Sequence, residues 1–492
     1  MFLPLFLAFL MGSTAFAEQQ PLLANDVNGT TDQQLKQIDT DKTALNQNAD
    51  TLQDPKNRPL SRRIKKNSQT KIDIESLALG GVALGGAAIL MASVLALKGS
   101  TSHSSRPNQS DTQVRLDQIF EHATGFEERA DMPLNFKQDD KGLSYIFNRR
   151  TPQPLCCGAI TQSPLAALRQ SYTAARTIGI SKLGNPSFGV FCYFSGNADR
   201  FDLAEIGALQ ADPANRDAVF QLASRMHCLE GGCAHNGVKI DARFGFTNGM
   251  SSPTQGELAC FSAAPGTFYK MYGHAPMNLL LNTPYAGLIN PNASGGGMPT
   301  VDQLVEAINK KDEMDSWTDN LQIYFHHDID VVAGRRIESY KNRNDRLSEV
   351  REIWQNPINR INQIPVAAFD WRIFAPTMFM AKNDPRKVPL RKITKPMLEG
   401  FYEGTFLAAA LNGKRKIYLT AVGGGAFGND LDLVASAIAN DTNLQIIQDY
   451  GLEVILIIHE IGKQQNVDFW QQQMNTFWQG KAGIAYGGFN II

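Results

Sequence analysis

KIYLTAVGGGAFGNDLDLVASAIAN, residues 416–440, is the stretch on which the reading of this chain turns. A short apolar strand, Ile417 to Val422, runs straight into Gly423, Gly424 and Gly425, then Ala426, Phe427, Gly428 and Asn429, and a helical pattern follows from Asp430. Strand, glycine loop and helix together form the anatomy of an anion cradle. Glycines permit positive φ and carry no Cβ, so consecutive N–H groups can face an anion lying on the helix N-terminus. The loop lacks the Lys-Ser/Thr pair that meets a nucleoside triphosphate and its magnesium. It also lacks the spacing of a dinucleotide fingerprint followed by an acidic residue on the next strand. The alternative is that a glycine turn of this kind is only a tight packing corner. Phe427 favours a ligand, because a ring in the middle of a glycine loop is badly placed for the core and well placed against a ribose or base. Gly423 to Asn429 are therefore the leading ligand-binding candidates.

Outward from this loop, folded sequence extends from about Leu116 to Ile492 with no low-complexity break. Strand-length runs, Phe188 to Phe194, Leu321 to Phe325, Val366 to Phe369, Ile417 to Val422 and Val454 to Ile458, alternate with longer helical patterns. That alternation predicts one α/β domain, a mixed and largely parallel sheet between helices. Ser163 before Pro164 and Asp212 before Pro213 read as N-caps with proline at the first helical position, and Thr300 with Gln303 has capping-box spacing. Helices are expected near 163–178, 212–227, 300–310, 345–355, 395–411 and 468–478. Asn440 reads as the C-terminal residue of the helix that follows the glycine loop.

Gly425, Ala426, Phe427 and Gly428, set between a strand and a helix and followed by the apolar run Val454 to Ile458, resemble the second phosphate-binding loop of macro domains, which bind ADP-ribose. Two more stretches, FQLASRMHCLE at 220–230 and PTQGELACFSAAPGTFY at 253–269, are similar to a less characterised macro-like family. That family has an ASxxxCLE segment, a TQG turn leading into a small-residue helix, and LTxxGGGxFxN towards the C-terminus. The resemblance covers roughly 141–492 with large insertions, and these three segments carry it. It implies a macro-like three-layer sandwich and an ADP-ribose-like or other nucleotide-derived ligand, free or attached to an ADP-ribosylated protein.

The chain departs from the family's catalytic members. Macro-type hydrolases follow an Asn-rich strand end with a triple glycine; here Asn290 and Asn292 precede Gly295, Gly296 and Gly297 only loosely. Poly(ADP-ribose) glycohydrolases add a Gln-Glu-Glu acid pair, whereas Gln303 is followed by Leu304, Val305 and Glu306. Asn292, Glu306 and the TQGE residues Gln255, Gly256 and Glu257 are accordingly weaker candidates. No catalytic residue is assigned, and any reaction would be hydrolysis of an ADP-ribosyl or phosphate bond.

Other constellations have bland alternatives. His227, Cys228, Cys233 and His235 supply four zinc-type ligands, but the adjacency of His227 and Cys228 makes a shared ion awkward, so no metal is expected. The adjacent Cys156 and Cys157 read as apolar packing rather than a strained disulfide. HHDID, 326–330, follows the strand Leu321 to Phe325, which would set Asp328 at a strand's carboxyl end, where α/β sheets place ligands; Asp370 stands in the same position after Val366 to Phe369. More often such a cluster is a polar loop, and the same holds for Asp370.

The first hundred residues differ in character. MFLPLFLAFLMGSTAFA, 1–17, has an apolar run and the small residues Ala15 and Ala17 of a signal-peptidase site, although no Lys or Arg precedes the run. Residues 18–75 are polar, almost free of aromatics and expected to be a disordered tether, ending in the basic cluster Arg58, Arg62, Arg63, Lys65, Lys66 and Lys71. Residues 76–97, SLALGGVALGGAAILMASVLAL, hold no charge and no proline over the length a helix needs to cross hydrocarbon. Gly81 and Gly85 form a GxxxG step on which two such helices could dimerise. The expected organisation is a single-pass membrane anchor, a linker over 98–140 and the macro-like domain over 141–492. A cleaved signal would send that domain to the cytoplasmic side, while the basic cluster before the span argues the reverse.

Charge adds an exclusion. With 47 Lys+Arg against 48 Asp+Glu there is no cationic excess for nucleic acid, and six cysteines are too few for a disulfide scaffold. No cofactor is implied. Two functions of different class remain: a membrane-anchored domain that binds, and hydrolyses if it is an enzyme, a nucleotide-derived ligand, or a non-catalytic membrane-tethered scaffold.

Overall fold

A computed structural model describes residues 112–128, 134–147, 153–194, 204–230, 245–249, 255–275, 277–286, 303, 306, 317–338, 350–353, 357, 359–374, 383–425, 427–460, 463–481 and 483–492. All of them belong to the compact unit 81–492. The expected signal peptide, tether and span with Gly81 and Gly85 lie outside the described residues. Among those described, no helix is long and apolar enough to cross a membrane.

The strands, in chain order, are β1 (Thr112–Arg115), β2 (Phe136–Gln138), β3 (Ser144–Ile146), β4 (Leu155–Pro164), β5 (Ser187–Tyr193), β6 (Val219–Ala223), β7 (Gln322–Val331), β8 (Ala333–Glu338), β9 (Val350–Ile353), β10 (Asn359–Val366), β11 (Lys416–Thr420), β12 (Glu453–His459) and β13 (Ala485–Ile491). The helices are α1 (Ile119–Thr124), α2 (Leu165–Ile178), α3 (Ile206–Ala211), α4 (Phe246–Gly249), α5 (Gln255–Ser262), α6 (Ala264–Phe268), α7 (Lys387–Leu411), α8 (Leu431–Ile438), α9 (Asp441–Tyr450) and α10 (Gln464–Trp478).

Among the described residues, ten strands form one sheet in the order β13-β5-β12-β11-β6-β10-β7-β4-β3-β2. From β13 to β10 every pairing is parallel. From β10 to β2 every pairing is antiparallel. The sheet is thus mixed as expected, but its parallel part is only one half. The central strands read as continuous apolar runs because both faces are covered: along β12, Val454, Leu456 and Ile458 join one core, and Ile455 and Ile457 join the other. The first core takes in α2, α7, α8, α9 and α10, and the second α1, α3, α5 and α6. Helices, sheet and helices make three layers, an arrangement that fits the macro-like sandwich.

Two packing details fix this frame. On α7, a Cβ at Gly400 would come 2.6 Å from Leu321 Cδ1, and one at Gly404 2.4 Å from Ile323 Cδ1. Glycine at that spacing lets the longest helix lie directly on the sheet. On the other face Glu205, fully buried, caps α3 by accepting from Gly207 N and Ala208 N and pairs with Arg351 of β9 at 2.8 Å, fastening the small sheet β1-β9-β8.

Several expectations are corrected. The helix expected at 212–227 is one turn, Pro213–Asn215, capped by Asp212, followed by β6. The cap signal is real, but Val219–Ala223 goes into the sheet between β11 and β10, where its apolar run is buried on both sides. The helix expected at 345–355 contains strand β9, paired with β1 and β8. Ser163 and Pro164 end β4, with Pro164 itself as the N-cap of α2. Within the expected linker 98–140 the structure places β1, α1 and β2. Asn440 starts α9 rather than ending a helix, its side chain accepting from Asn443 N. Of the helix expected at 300–310, only residues 303 and 306 are described.

Candidate functional site

The carboxyl ends of β6, β11 and β12, side by side in the parallel half, open into a cleft of about 170 Å³. Ligands in open α/β sheets bind outside such strand ends. Three sequence segments far apart in the chain supply its lining: Ala223, Ser224 and Glu230; Gln255 and Gly256; and Thr420 through Gly425 with Phe427. These are the ASxxxCLE, TQG and LTxxGGGxFxN stretches, brought to one place by the sheet order. Ile457, Ile458, His459 and Glu460 of the β12 end, and Trp470 of α10, complete the wall.

The glycine loop has the backbone that its sequence demands. Gly423 and Gly428 adopt φ of +81° and +68°, open to glycine at little cost. A Cβ at Gly423 would lie 2.4 Å from Asn429 Oδ1 and 2.6 Å from Ala368 Cβ, so this glycine is needed for packing. Gly425 differs: a Cβ there meets nothing within 4 Å. Gly424 N donates to Ala421 O at 3.2 Å, Gly428 N to Gly425 O at 3.2 Å and Asn429 N to Gly423 O at 3.0 Å, folding the loop on itself. Asn429 Nδ2 donates to Phe369 O at 2.8 Å, tying the loop to the segment after β10, and Trp371 N donates to Phe427 O at 2.9 Å. Among the described residues, the N–H groups of Gly425 and Phe427 meet no backbone acceptor. Gly423, Gly428 and Asn429 thus hold the loop's shape, Gly423 lining the cleft as well; Gly425 lines it with open space beside it, and Phe427 lines it while packing partly against the core.

Asp430 is the N-cap residue of α8, where its charge would oppose an anion. It is compensated by Lys387 Nζ and Arg391 Nη1, each 2.6 Å away. Arg391 also binds Asp432, which holds that carboxyl below its ordinary pKa.

At the opposite wall Gln255 Oε1 accepts from Ile206 N at 2.9 Å, which fixes the amide so that its Nε2 donates to His459 Nε2 at 2.6 Å. Ala204 O stands 3.3 Å from the same ring nitrogen, a longer contact that the shorter bond outweighs. His459 is therefore a neutral acceptor, in keeping with burial, which pushes its pKa down. Glu460, 6% exposed, accepts from Asn466 Nδ2 at 2.9 Å and Trp470 Nε1 at 3.4 Å.

Of the weaker candidates, Gln255 and Gly256 are in the cleft. A Cβ on Gly256 would strike Ala223 O at 2.3 Å, so its role is close approach of α5 to β6. Glu257 is buried in α5 and does not line the cleft, and Glu306 is exposed and does not line it either. Asp370 lies beside the glycine loop, but Arg372 holds it through bonds of 2.8 and 2.6 Å while stacking 5.7 Å over the Phe427 ring. Asp328 is a correction. HHDID lies inside β7, which runs antiparallel to β10, so its carboxyl end points away from the cleft. Asp328 takes φ +61° at an irregularity of that pairing, bonded to His327 Nδ1 at 2.8 Å. Ala426, Asn292, Cys233 and His235 lie outside the described residues. Among those described, no group of side chains is arranged to hold a metal ion.

Glu230, His459 and Glu460 were not singled out from the sequence. The signal was present: His459 and Glu460 directly follow the apolar run Val454 to Ile458, the rule applied instead to His326–Asp330.

No protein-family model matches the chain, and no curated protein does. Among solved structures, poly(ADP-ribose) glycohydrolase from Deinococcus radiodurans in complex with ADP-ribose is similar, with a TM-score of 0.33 and 11% identity, covering 64% of this chain and 94% of that one. The poly(ADP-ribose) glycohydrolase from Thermomonospora curvata gives a TM-score of 0.29 and 12% identity, covering 66% of this chain and 87% of that one. Likeness of that degree leaves the ligand of this chain to be argued from its own residues.

Proposed function

We propose that the cleft binds an ADP-ribose-like or other nucleotide-derived ligand, with its diphosphate on the N–H groups of the Gly423–Asn429 loop and its ribose or base against Phe427. The observation that carries this reading is the convergence of three distant motif segments on one cleft whose glycine loop leaves Gly425 open and the Gly425 and Phe427 N–H groups without a backbone acceptor among the described residues. Backbone donors of this kind hold an anion without any excess of Lys or Arg, which suits a chain of formal net charge −1. Glu230, His459 and Glu460 line the same cleft and are groups able to move a proton, so hydrolysis of an ADP-ribosyl or phosphate bond is the reaction class the site would support.

Thermal melting of the full chain with ADP-ribose tests the binding. At a ligand concentration about 100 times Kd the fold should gain about 2.7 kcal/mol. An unchanged melting curve at millimolar ADP-ribose would contradict the reading. The 76–97 segment adds a second element: a single-pass anchor that holds the domain at a membrane. Alkaline carbonate should leave the chain in the vesicle pellet, and its release into the supernatant would argue against an anchor.

A further inference from the structure

The two walls of the cleft have opposite hydrogen-bonding character. The glycine-loop wall offers N–H donors, and the β12 wall offers acceptors, with Glu460 chief among them. Its carboxylate has about four lone-pair sites. Asn466 Nδ2 fills one at 2.9 Å and Trp470 Nε1, itself a cleft-lining residue, reaches another at 3.4 Å. Both donors are neutral and both come from α10. A carboxylate 6% exposed and held, among the described residues, by neutral donors has capacity for further donors.

Building on the nucleotide-derived reading, we propose that Glu460 accepts hydrogen bonds from a vicinal diol of the bound ligand, so that the cleft selects a phosphorylated ribose over its deoxy counterpart. The anion sits on the loop after β11 and the sugar hydroxyls reach the end of the adjacent strand β12. Paired strands lie about 4.8 Å apart, a span that one ribose phosphate bridges. His459 stands on the same wall as a neutral acceptor whose lone pair is already occupied by Gln255, which leaves Glu460 as the open acceptor at the end of β12.

The test measures dissociation constants on the full chain for ADP-ribose, inorganic pyrophosphate, and two ribo/deoxy pairs: ADP with 2′-deoxy-ADP, and ribose 5-phosphate with 2-deoxyribose 5-phosphate. Whichever pair shows the preference tells whether the nucleoside ribose or a terminal ribose is read. The wild type is expected to prefer the ribo form of one pair at least tenfold. Glu460→Gln should remove that preference and weaken ADP-ribose about tenfold, while leaving pyrophosphate within twofold. Glu460 also anchors α10, so Asn466→Ala serves as the structural control: it disturbs the same anchor, keeps the carboxylate, and should keep the preference. A wild type that binds ADP-ribose without distinguishing ribo from deoxy overturns the Glu460 proposal and leaves the binding reading intact. A ribo preference that survives in a folded Glu460→Gln, or one that Asn466→Ala abolishes equally, also overturns it. A wild type that binds none of the probes overturns both.

Discussion

Gly423 and Gly425 sit two residues apart in one loop, and the structure assigns them opposite roles, which makes alanine at each a sharp comparison. At Gly423 the backbone is left-handed, with φ +81°, where a Cβ costs roughly 1–2 kcal/mol. The new methyl would also stand 2.4 Å from Asn429 Oδ1 and 2.6 Å from Ala368 Cβ, so the loop and the segment after β10 must part. Overpacking of that kind costs roughly 1–3 kcal/mol. Gly423→Ala should thus destabilise the fold by about 2–5 kcal/mol in total. At Gly425 a Cβ meets nothing within 4 Å and φ lies outside the left-handed region. Gly425→Ala should stay within about 0.5 kcal/mol of the wild type. Urea titrations followed by near-ultraviolet circular dichroism, read as midpoints at constant slope, measure both. Equal midpoints for the two variants, or a larger loss at Gly425, would refute the division between a tightly packed and an open glycine.

Other expectations follow from the packing and the buried charges. Arg351→Met leaves Glu205 buried without its cationic partner and should cost about 3–5 kcal/mol, measured by the same titration; a neutral result would mean that the pair does not fasten the small sheet. Trp478, fully buried and stacked on Phe188 at 3.9 Å, should lose about 3–5 kcal/mol on change to alanine. Burial first, and then the nearby Lys270 charge, holds the His326 imidazole well below 6.5. The unfolded chain therefore takes up a proton that the fold refuses: the stability contributed is complete above pH 6.5 and is lost as pH falls below it, at up to about 1.4 kcal/mol per pH unit. His326→Gln should flatten the stability profile between pH 6.5 and 5, and an unchanged slope would remove His326 as the cause.

The sequence was most legible where a local pattern and the global environment agree. The run Val454 to Ile458 and the strand before the glycine loop are apolar on both faces because they are central parallel strands, and they lie within a residue or two of where the pattern puts them. The cap at Asp212 shows the limit: the same Asp-Pro signal opens a long helix or a single turn, and what decides is whether the next residues are claimed by neighbouring strands. The placement of HHDID at a ligand-binding edge is corrected for a topological reason. A strand's carboxyl end is a ligand-binding edge only if the strand runs with the parallel set, and β7 runs against it. The convergence of the three motif segments was invisible for the related reason that β6 lies beside β11 although about two hundred residues separate them in sequence. His459 and Glu460 carried a readable signal, since both follow an apolar parallel strand.

Isothermal titration of ADP-ribose into the full chain and into its Gly425→Val variant tests the central claim most directly. A Cβ at this position meets nothing within 4 Å, so valine is expected to fill the space where the anion should lie without a clash. The account expects saturable binding to the wild type and none to a variant whose melting temperature is unchanged. Equal affinity for both proteins, or no heat with either, would contradict it.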